Sequence, residues 1–288
     1  MTVARALAAA VAGGLDRLDA QLLLLNALGQ RKQDRAWLLA HDRDPIATAD
    51  AQRYQQLCAR RAGGEPLAYI VGYKEFFGIE LLVDRRVLIP RPDTETLVEW
   101  ALEVLGAPLN DSHPESDHAR QDRMAVIDLG TGSGAVALSV KKACPAARVE
   151  AVDISPATLE VAAANARALG LDVGLRLGSW LEGSASRYHL IVSNPPYVAI
   201  RDPHLADLVH EPLAALASGL DGLDAIRAII DQAPAHLHRH GWLLLEHGWD
   251  QAGAVRQLLQ SAGFAGVLSR RDLAGTERCS GGQWLELG

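Results

Sequence analysis

The chain has no apolar run approaching the roughly 18–20 residues of a membrane-spanning helix. Its greasiest stretches, at 22–25 and 243–245, are far too short. The N-terminus carries Arg5 and an alanine-rich run, but Asp16, Arg17 and Asp19 break it early, so the layout of a signal peptide is missing. A cytoplasmic, water-soluble chain with no membrane partner is the expectation. Cysteine is scarce: Cys58, Cys144 and Cys279 stand singly, with no CxxC pair, and an odd number cannot all pair within one chain. A disulfide framework and a zinc knuckle are therefore not expected. Basic charge is short as well, 28 Lys and Arg against 35 Asp and Glu, and only four of the bases are lysine. A protein that grips nucleic acid by its phosphates carries a basic surplus, so no stable nucleic-acid partner is expected. There is no GxxxxGK[ST], which rules out a P-loop NTPase, and there are no internal repeats.

What is present fits a globular protein of about two domains: 288 residues, long enough to bury a core without a staple. Residues 1–72 read as a small helical bundle, with apolar residues at helical spacing over 19–28 and 35–41 and a polar amphipathic stretch at 49–61. The texture then changes. Segments 74–77 and 80–83 flank Gly78 and are aromatic or branched, which predicts a β-hairpin linker over 73–88. From 89 to 288 the pattern is strand and helix in alternation. A helix over 91–105 precedes a polar surface loop at 106–123. Strands are expected at 125–129, 148–153, 173–177, 189–193, 242–246 and 265–269, helices at 135–143, 156–169, 223–237 and 251–262, and a last antiparallel strand at or near the sheet edge at 283–287. Such alternation makes a mostly parallel α/β sheet with helices on both faces.

Two motifs carry chemistry. The first is a buried strand, Val126 to Leu129, running into Gly130-Thr131-Gly132-Ser133-Gly134 and then a helix. Glycines let the backbone turn tightly and let a ligand approach closely. Asp153 ends the next strand, where a carboxylate can take both hydroxyls of a ribose. A glycine turn alone can be bland; with Asp153 it predicts a nucleoside-bearing cofactor. The second is Asn194-Pro195-Pro196-Tyr197, directly after the strand at 189–193. Two prolines cannot extend a ladder and hold the chain stiff at the strand's carboxyl end, the edge where open α/β sheets bind ligands. Asn194 offers an acceptor oxygen, the prolines leave their carbonyls free, and Tyr197 supplies a flat face. Such a site suits a planar NH2 group. The plainer reading is a turn in which Asn194 caps its own backbone.

Together these motifs resemble the Rossmann-like methyltransferases that use S-adenosylmethionine on planar nitrogens. Phe76-Phe77-Gly78, Leu88 to Glu95 (LIPRPDTE), Asp202 to Leu205, Glu211-Pro212 and Leu244 to Trp249 narrow the likeness. Over nearly its whole length the chain looks like a release factor glutamine methyltransferase. The resemblance implies a class I methyltransferase sheet preceded by a helical domain that recognises the substrate protein. It also implies N5-methylation, from S-adenosyl-L-methionine, of the glutamine in the GGQ motif of class I peptide chain release factors. Carried over, Gly130, Thr131, Gly132, Ser133 and Gly134 form the cofactor loop, Asp153 binds ribose, and Trp180 lies beside the adenine. Asn194, Pro195, Pro196 and Tyr197 hold the substrate amide and are the catalytic set, with Asn194 also beside the cofactor.

Other readings stay open. The same elbow serves a ribosomal-protein glutamine methyltransferase or an N6-adenine nucleic-acid methyltransferase, though the acidic charge disfavours the latter, and a catalytically silent adaptor is the remaining class. Trp180 is either an adenine neighbour or a packing residue. Arg91 and Glu95 either start a helix or shape the mouth of the site; Glu246 is either structural or site-lining. His236, His238 and His240 are read as closing a helix, where histidine suits the C-terminal dipole, and no metal is expected. Gly281-Gly282-Gln283 is read as an ordinary loop entering the last strand. A monomer is the default.

Overall fold

The computed structural model describes residues 1–30, 35–106 and 124–285. They belong to two compact units, Met1–Tyr73 and Lys74–Gly288. Among the described residues no helix is long and apolar enough to cross a membrane.

The first unit is helical: α1 (Val3–Ala12), α2 (Arg17–Ala27), α3 (Arg35–Ala40), α4 (Thr48–Ala62) and α5 (Leu67–Val71). Thr2 and Asp16 cap the first two helices, their side-chain oxygens accepting from Arg5 N and Leu18 N. The near-continuous apolar run of α2 makes sense because that helix is central. Leu23, Leu24 and Leu25 are buried with Leu38, Tyr54 and Leu57. Arg61 of α4 reaches Asp19 of α2 at 2.6 Å, and the Tyr54 hydroxyl donates to the Ala20 carbonyl.

The second unit opens with the hairpin β1 (Tyr73–Phe76) and β2 (Ile79–Leu82), whose Phe76, Ile79 and Leu81 enter its core. A 3-10 turn (Pro92–Thr94) leads into α6 (Glu95–Leu105), so the segment expected as one helix from 91 begins as a tighter turn over its proline. Gly106 closes α6 in the left-handed conformation; the rest of the polar loop at 106–123 lies outside the described residues. The sheet follows, with strands β3 (Ala125–Leu129), β4 (Arg148–Asp153), β5 (Gly174–Leu177), β6 (Tyr188–Ser193), β7 (Leu237–Glu246), β8 (Ala265–Arg271) and β9 (Glu277–Gln283). Between them run α7 (Ala135–Ala143), α8 (Pro156–Leu169), α9 (Asp224–His236) and α10 (Ala252–Ser261). Strand order is β5-β4-β3-β6-β7-β9-β8, parallel from β5 to β7 and antiparallel at β9 and β8. The expected α/β sheet with helices on both faces is therefore present. Alternate residues divide between the faces. Val126, Leu190, Val192 and Leu244 pack with α6 and α7, while Ile127, Leu129, Ile191, Leu243 and Leu245 pack with α9 and α10.

Three expectations are corrected. The closing strand is antiparallel and next to the sheet edge, between β7 and β8, as expected, but it runs over Glu277–Gln283 and ends where the expected span begins; 286–287 lie outside the described residues. Gly281-Gly282-Gln283 is thus strand, not loop. Glycine there reflects lack of room: a Cβ on Gly281 would stand 2.7 Å from the Leu243 carbonyl oxygen and 2.5 Å from Leu244 Cδ2. The histidines do not all close a helix. His236 ends α9, but His238 and His240 lie on β7, which starts five residues before the apolar run at 242. His238 packs its ring on His189, centroids 4.3 Å apart. Propensity could not find that early start, because 237–241 is polar and irregular in register.

Candidate active site

The register brings the motifs to one edge. Leu129 pairs with Val152 on one side and Ser193 on the other, and Ser193 pairs with Leu245. The next residue along each strand is Asp153, Gly130, Asn194 or Glu246, so these four stand side by side at the carboxyl ends of β4, β3, β6 and β7. Strand order reverses at β3, which has β4 and β6 as neighbours; this is the topological switch point where α/β sheets take ligands.

The glycine loop is shaped by its backbone. Gly130, Gly132 and Gly134 have φ of 71°, 58° and 85°, values that side chains with a Cβ rarely adopt. A Cβ on Gly134 would meet Leu138 at 2.9 Å, whereas one on Gly132 would meet nothing within 4 Å, so the middle of the loop faces open space. Asp128, 2% exposed, braces the loop from beneath, accepting from Thr131 Oγ1 at 2.7 Å and Ala137 N at 3.2 Å. Burial pushes its carboxyl up to about 6. Asn165 of α8, also buried, accepts from Leu82 N and donates to the carbonyls of Leu82 and Ser133, joining β2 to the loop.

Asp153 accepts backbone hydrogens from Gly132 at 3.1 Å and Ser155 at 3.0 Å, and partial burial raises its carboxyl above the ordinary aspartate range. A carboxylate has further lone pairs for a diol. Trp180 is held with φ 48°, a left-handed backbone rare for a bulky side chain. Arg176 donates to its carbonyl. Its ring edge stands 3.2 Å from where a Cβ on Gly130 would be, so it lines the same loop.

Pro195 is buried and Asn194, Pro196 and Tyr197 are half-buried. Asn194 Nδ2 donates to Thr94 Oγ1 at 3.1 Å, and among the described residues nothing donates to its Oδ1. Gln251 holds the far end of the elbow, donating to the Tyr197 carbonyl at 3.0 Å. Burial pushes the Tyr197 phenol well above its ordinary value; its hydroxyl lies 3.5 Å from Glu246.

The segment from Arg91 to Glu95 is a strap with a partner for nearly every side chain. Arg91 pairs with buried Glu211, which also accepts from Ile89 N; Asp93 pairs with Arg278 at 3.1 Å. Thr94 meets Asn194, and Glu95 accepts from Phe77 N at 3.1 Å in the hairpin turn. Glu246 is 1% exposed; burial lifts its carboxyl to about 7, and its Oε2 has no partner among the described residues. Asn165, Thr94 and Gln251 carry no sequence signal of their own, since each acts on residues far away along the chain, while Asp128 acts locally on Thr131 and Ala137. Glu246 does carry one: it ends a strand at the ligand edge.

Comparison with known proteins follows this layout. The family model of the PrmC N-terminal domain matches residues 2–72 and that of the methyltransferase small domain matches 116–220. A methyltransferase from Pyrococcus furiosus shares the fold, with TM-score 0.54 and 18% identity over 79% of this chain and 97% of that one. So does a 16S rRNA N2 methyltransferase of T. thermophilus in complex with AdoMet and guanosine, with TM-score 0.52 and 18% identity over 73% and 49%. The fold is that of a class I methyltransferase. Sequence carries the likeness further. The release factor glutamine methyltransferase of Bordetella pertussis is 50% identical over 275 residues, 93% of this chain and 95% of that one. That of Xylella fastidiosa Temecula1 is 48% identical over 96% and 97%. With such identity running through both units, the chain belongs to the release factor glutamine methyltransferase family.

Proposed function

We propose that this protein transfers a methyl group from S-adenosyl-L-methionine to the side-chain amide nitrogen of the glutamine in the GGQ motif of class I peptide chain release factors. In this reading the protein works in the cytoplasm as a monomer, and its helical unit selects the protein partner. The reading is carried by one observation: a family member whose stiff Asn-Pro-Pro-Tyr elbow stands next to an open glycine loop at the sheet's switch point. The residues fit the cofactor. Gly132 leaves room above the loop, Asp153 has lone pairs for a ribose diol, and Trp180 offers a flat ring along the loop. The T. thermophilus relative of the same fold is a complex with AdoMet.

An amide nitrogen is a poor nucleophile, because its lone pair is delocalised into the carbonyl. When bound, the cofactor supplies a methyl carbon on a positive sulfur; the C–S bond breaks with its electrons going to sulfur as the C–N bond forms. The protein's part is position and electrostatics. Asn194 Oδ1 and the Pro195 carbonyl accept the two hydrogens of the glutamine amide and favour positive charge growing on its nitrogen. The prolines keep those acceptors from swinging away. No strong base is required first, since the N–H becomes acidic only as the new bond forms, and the proton then leaves to water.

The test is tritiated methyl transfer to purified release factor, a ribosomal protein pool and DNA in parallel. Label on the GGQ glutamine is expected; label confined to either of the other two overturns the substrate assignment.

A further inference from the structure

An asparagine side chain has two ends of nearly equal size and opposite chemistry, and its hydrogen-bond partners decide which one faces outward. In Asn194 the Nδ2 end is taken, donating to Thr94 Oγ1 at 3.1 Å. Thr94 is buried, 3% exposed, and a hydroxyl has a single hydrogen to give. Having accepted from Asn194, it keeps that hydrogen for another acceptor, and the buried Glu246 carboxyl lies within its electrostatic reach. Glu246 also faces the Tyr197 hydroxyl, and its buried Oε2 has no partner among the described residues. A Thr94 hydroxyl aimed at Glu246 would make the donors run one way, from Asn194 through Thr94 into Glu246.

Building on the function proposed above, we propose that Thr94 and Glu246 are positioning residues that lock the Asn194 side chain with Oδ1 turned to the substrate amide, so that it accepts rather than donates. The strap and β7 thereby set the polarity of a residue on a third element.

The direction of this chain depends on charge. An ionised Glu246 only accepts. A protonated one gives its hydrogen to Thr94, which frees Thr94 to donate to Asn194 and favours the reversed amide. The charged and titratable groups around Glu246 are Arg278 on β9, Asp93 on the strap, Tyr197 on the elbow and Cys279, its partner across the sheet. Burial outweighs Arg278 and lifts the carboxyl to about 7, so the reversal falls near neutrality.

The experiment compares Thr94→Val, Thr94→Ser and Glu246→Gln in the full chain by two readouts. The first needs no release factor: nitrogen–proton NMR of the Asn194 side-chain amide, where one hydrogen carries the shift of a hydrogen bond in the wild type and Thr94→Ser but loses it in Thr94→Val. The second is single-turnover methyl transfer to release factor, with cofactor Kd and Tm measured alongside. Thr94→Val is expected to lose about ten-fold or more in rate at unchanged cofactor Kd, and Thr94→Ser to recover most of it. The wild-type rate rises with pH through about 7, and the Glu246→Gln profile is flat there. A Thr94→Val protein within about two-fold of wild type, or a Thr94→Ser protein as slow as Thr94→Val, overturns the proposal. If the wild type shows the NMR signature yet methylates no release factor, the substrate assignment fails and the positioning role stands.

Discussion

Ser193 Oγ donates to the Leu129 carbonyl at 2.6 Å, from a side chain with no exposed surface. These two residues immediately precede the Asn-Pro-Pro-Tyr elbow and the glycine loop, so this bond reinforces the β3–β6 ladder where the two halves of the site meet. Ser193→Ala should cost about 1 kcal/mol of stability and reduce methyl transfer more than cofactor binding. Urea unfolding and calorimetry on the same preparation separate the two effects.

Asn194→Ala removes the acceptor while the glycine loop and Asp153 stay in place. Methyl transfer is expected to fall by about two orders of magnitude or more, the scale of losing an oriented electrostatic contact, with cofactor affinity nearly unchanged. Unimpaired transfer in this variant would remove the mechanism.

Asp153→Ala tests the ribose contact proposed for the cofactor. The cofactor Kd is expected to rise about ten-fold or more as a charge-assisted contact to the ribose is lost. The rate at saturating cofactor should change much less. Equilibrium titration without release factor reads this directly.

Asn165→Ala strips partners from Leu82 N, Leu82 O and Ser133 O. Of these the Ser133 carbonyl is left unpaired in a buried setting and the Leu82 groups in a half-buried one, and a loss of about 2 kcal/mol is expected. Hydrogen exchange should show the backbone around the Ser133 end of the loop opening faster.

Asp128 ties stability to pH. Its folded carboxyl titrates at about 6 rather than at the ordinary 3.8. Between those values the folded state holds a proton that the unfolded chain has already released. Stability from this group is highest below the lower value and declines as pH rises through that window. A side-chain amide at this position does not titrate, so the Asp128→Asn protein should gain on the wild type between about pH 4 and pH 6. The slope of that difference, measured by thermal unfolding, checks the sign.

β3 and β6 were legible because buried parallel strands carry continuous apolar stretches, here 125–127 and 190–192. Both motifs were legible for a related reason: a turn at a strand's end is a local event, written in consecutive residues. β9 was not legible, since Cys279-Ser280-Gly281-Gly282 has poor strand propensity and is held by the space between β7 and β8. Arg91 and Glu95 had open roles because their partners, Glu211 and Phe77, lie elsewhere along the chain.

The amino-acid sequence by itself therefore determined the alternating sheet, the glycine loop, Asp153 and the proline-locked elbow, because each depends on contiguous residues and short-range sterics. Tertiary structure alone decided which strand ends stand side by side, where the last strand runs, and that Thr94 meets Asn194. Those depend on register and burial, through which a carboxyl taken from water by its neighbours acquires partners and a titration that no local pattern encodes.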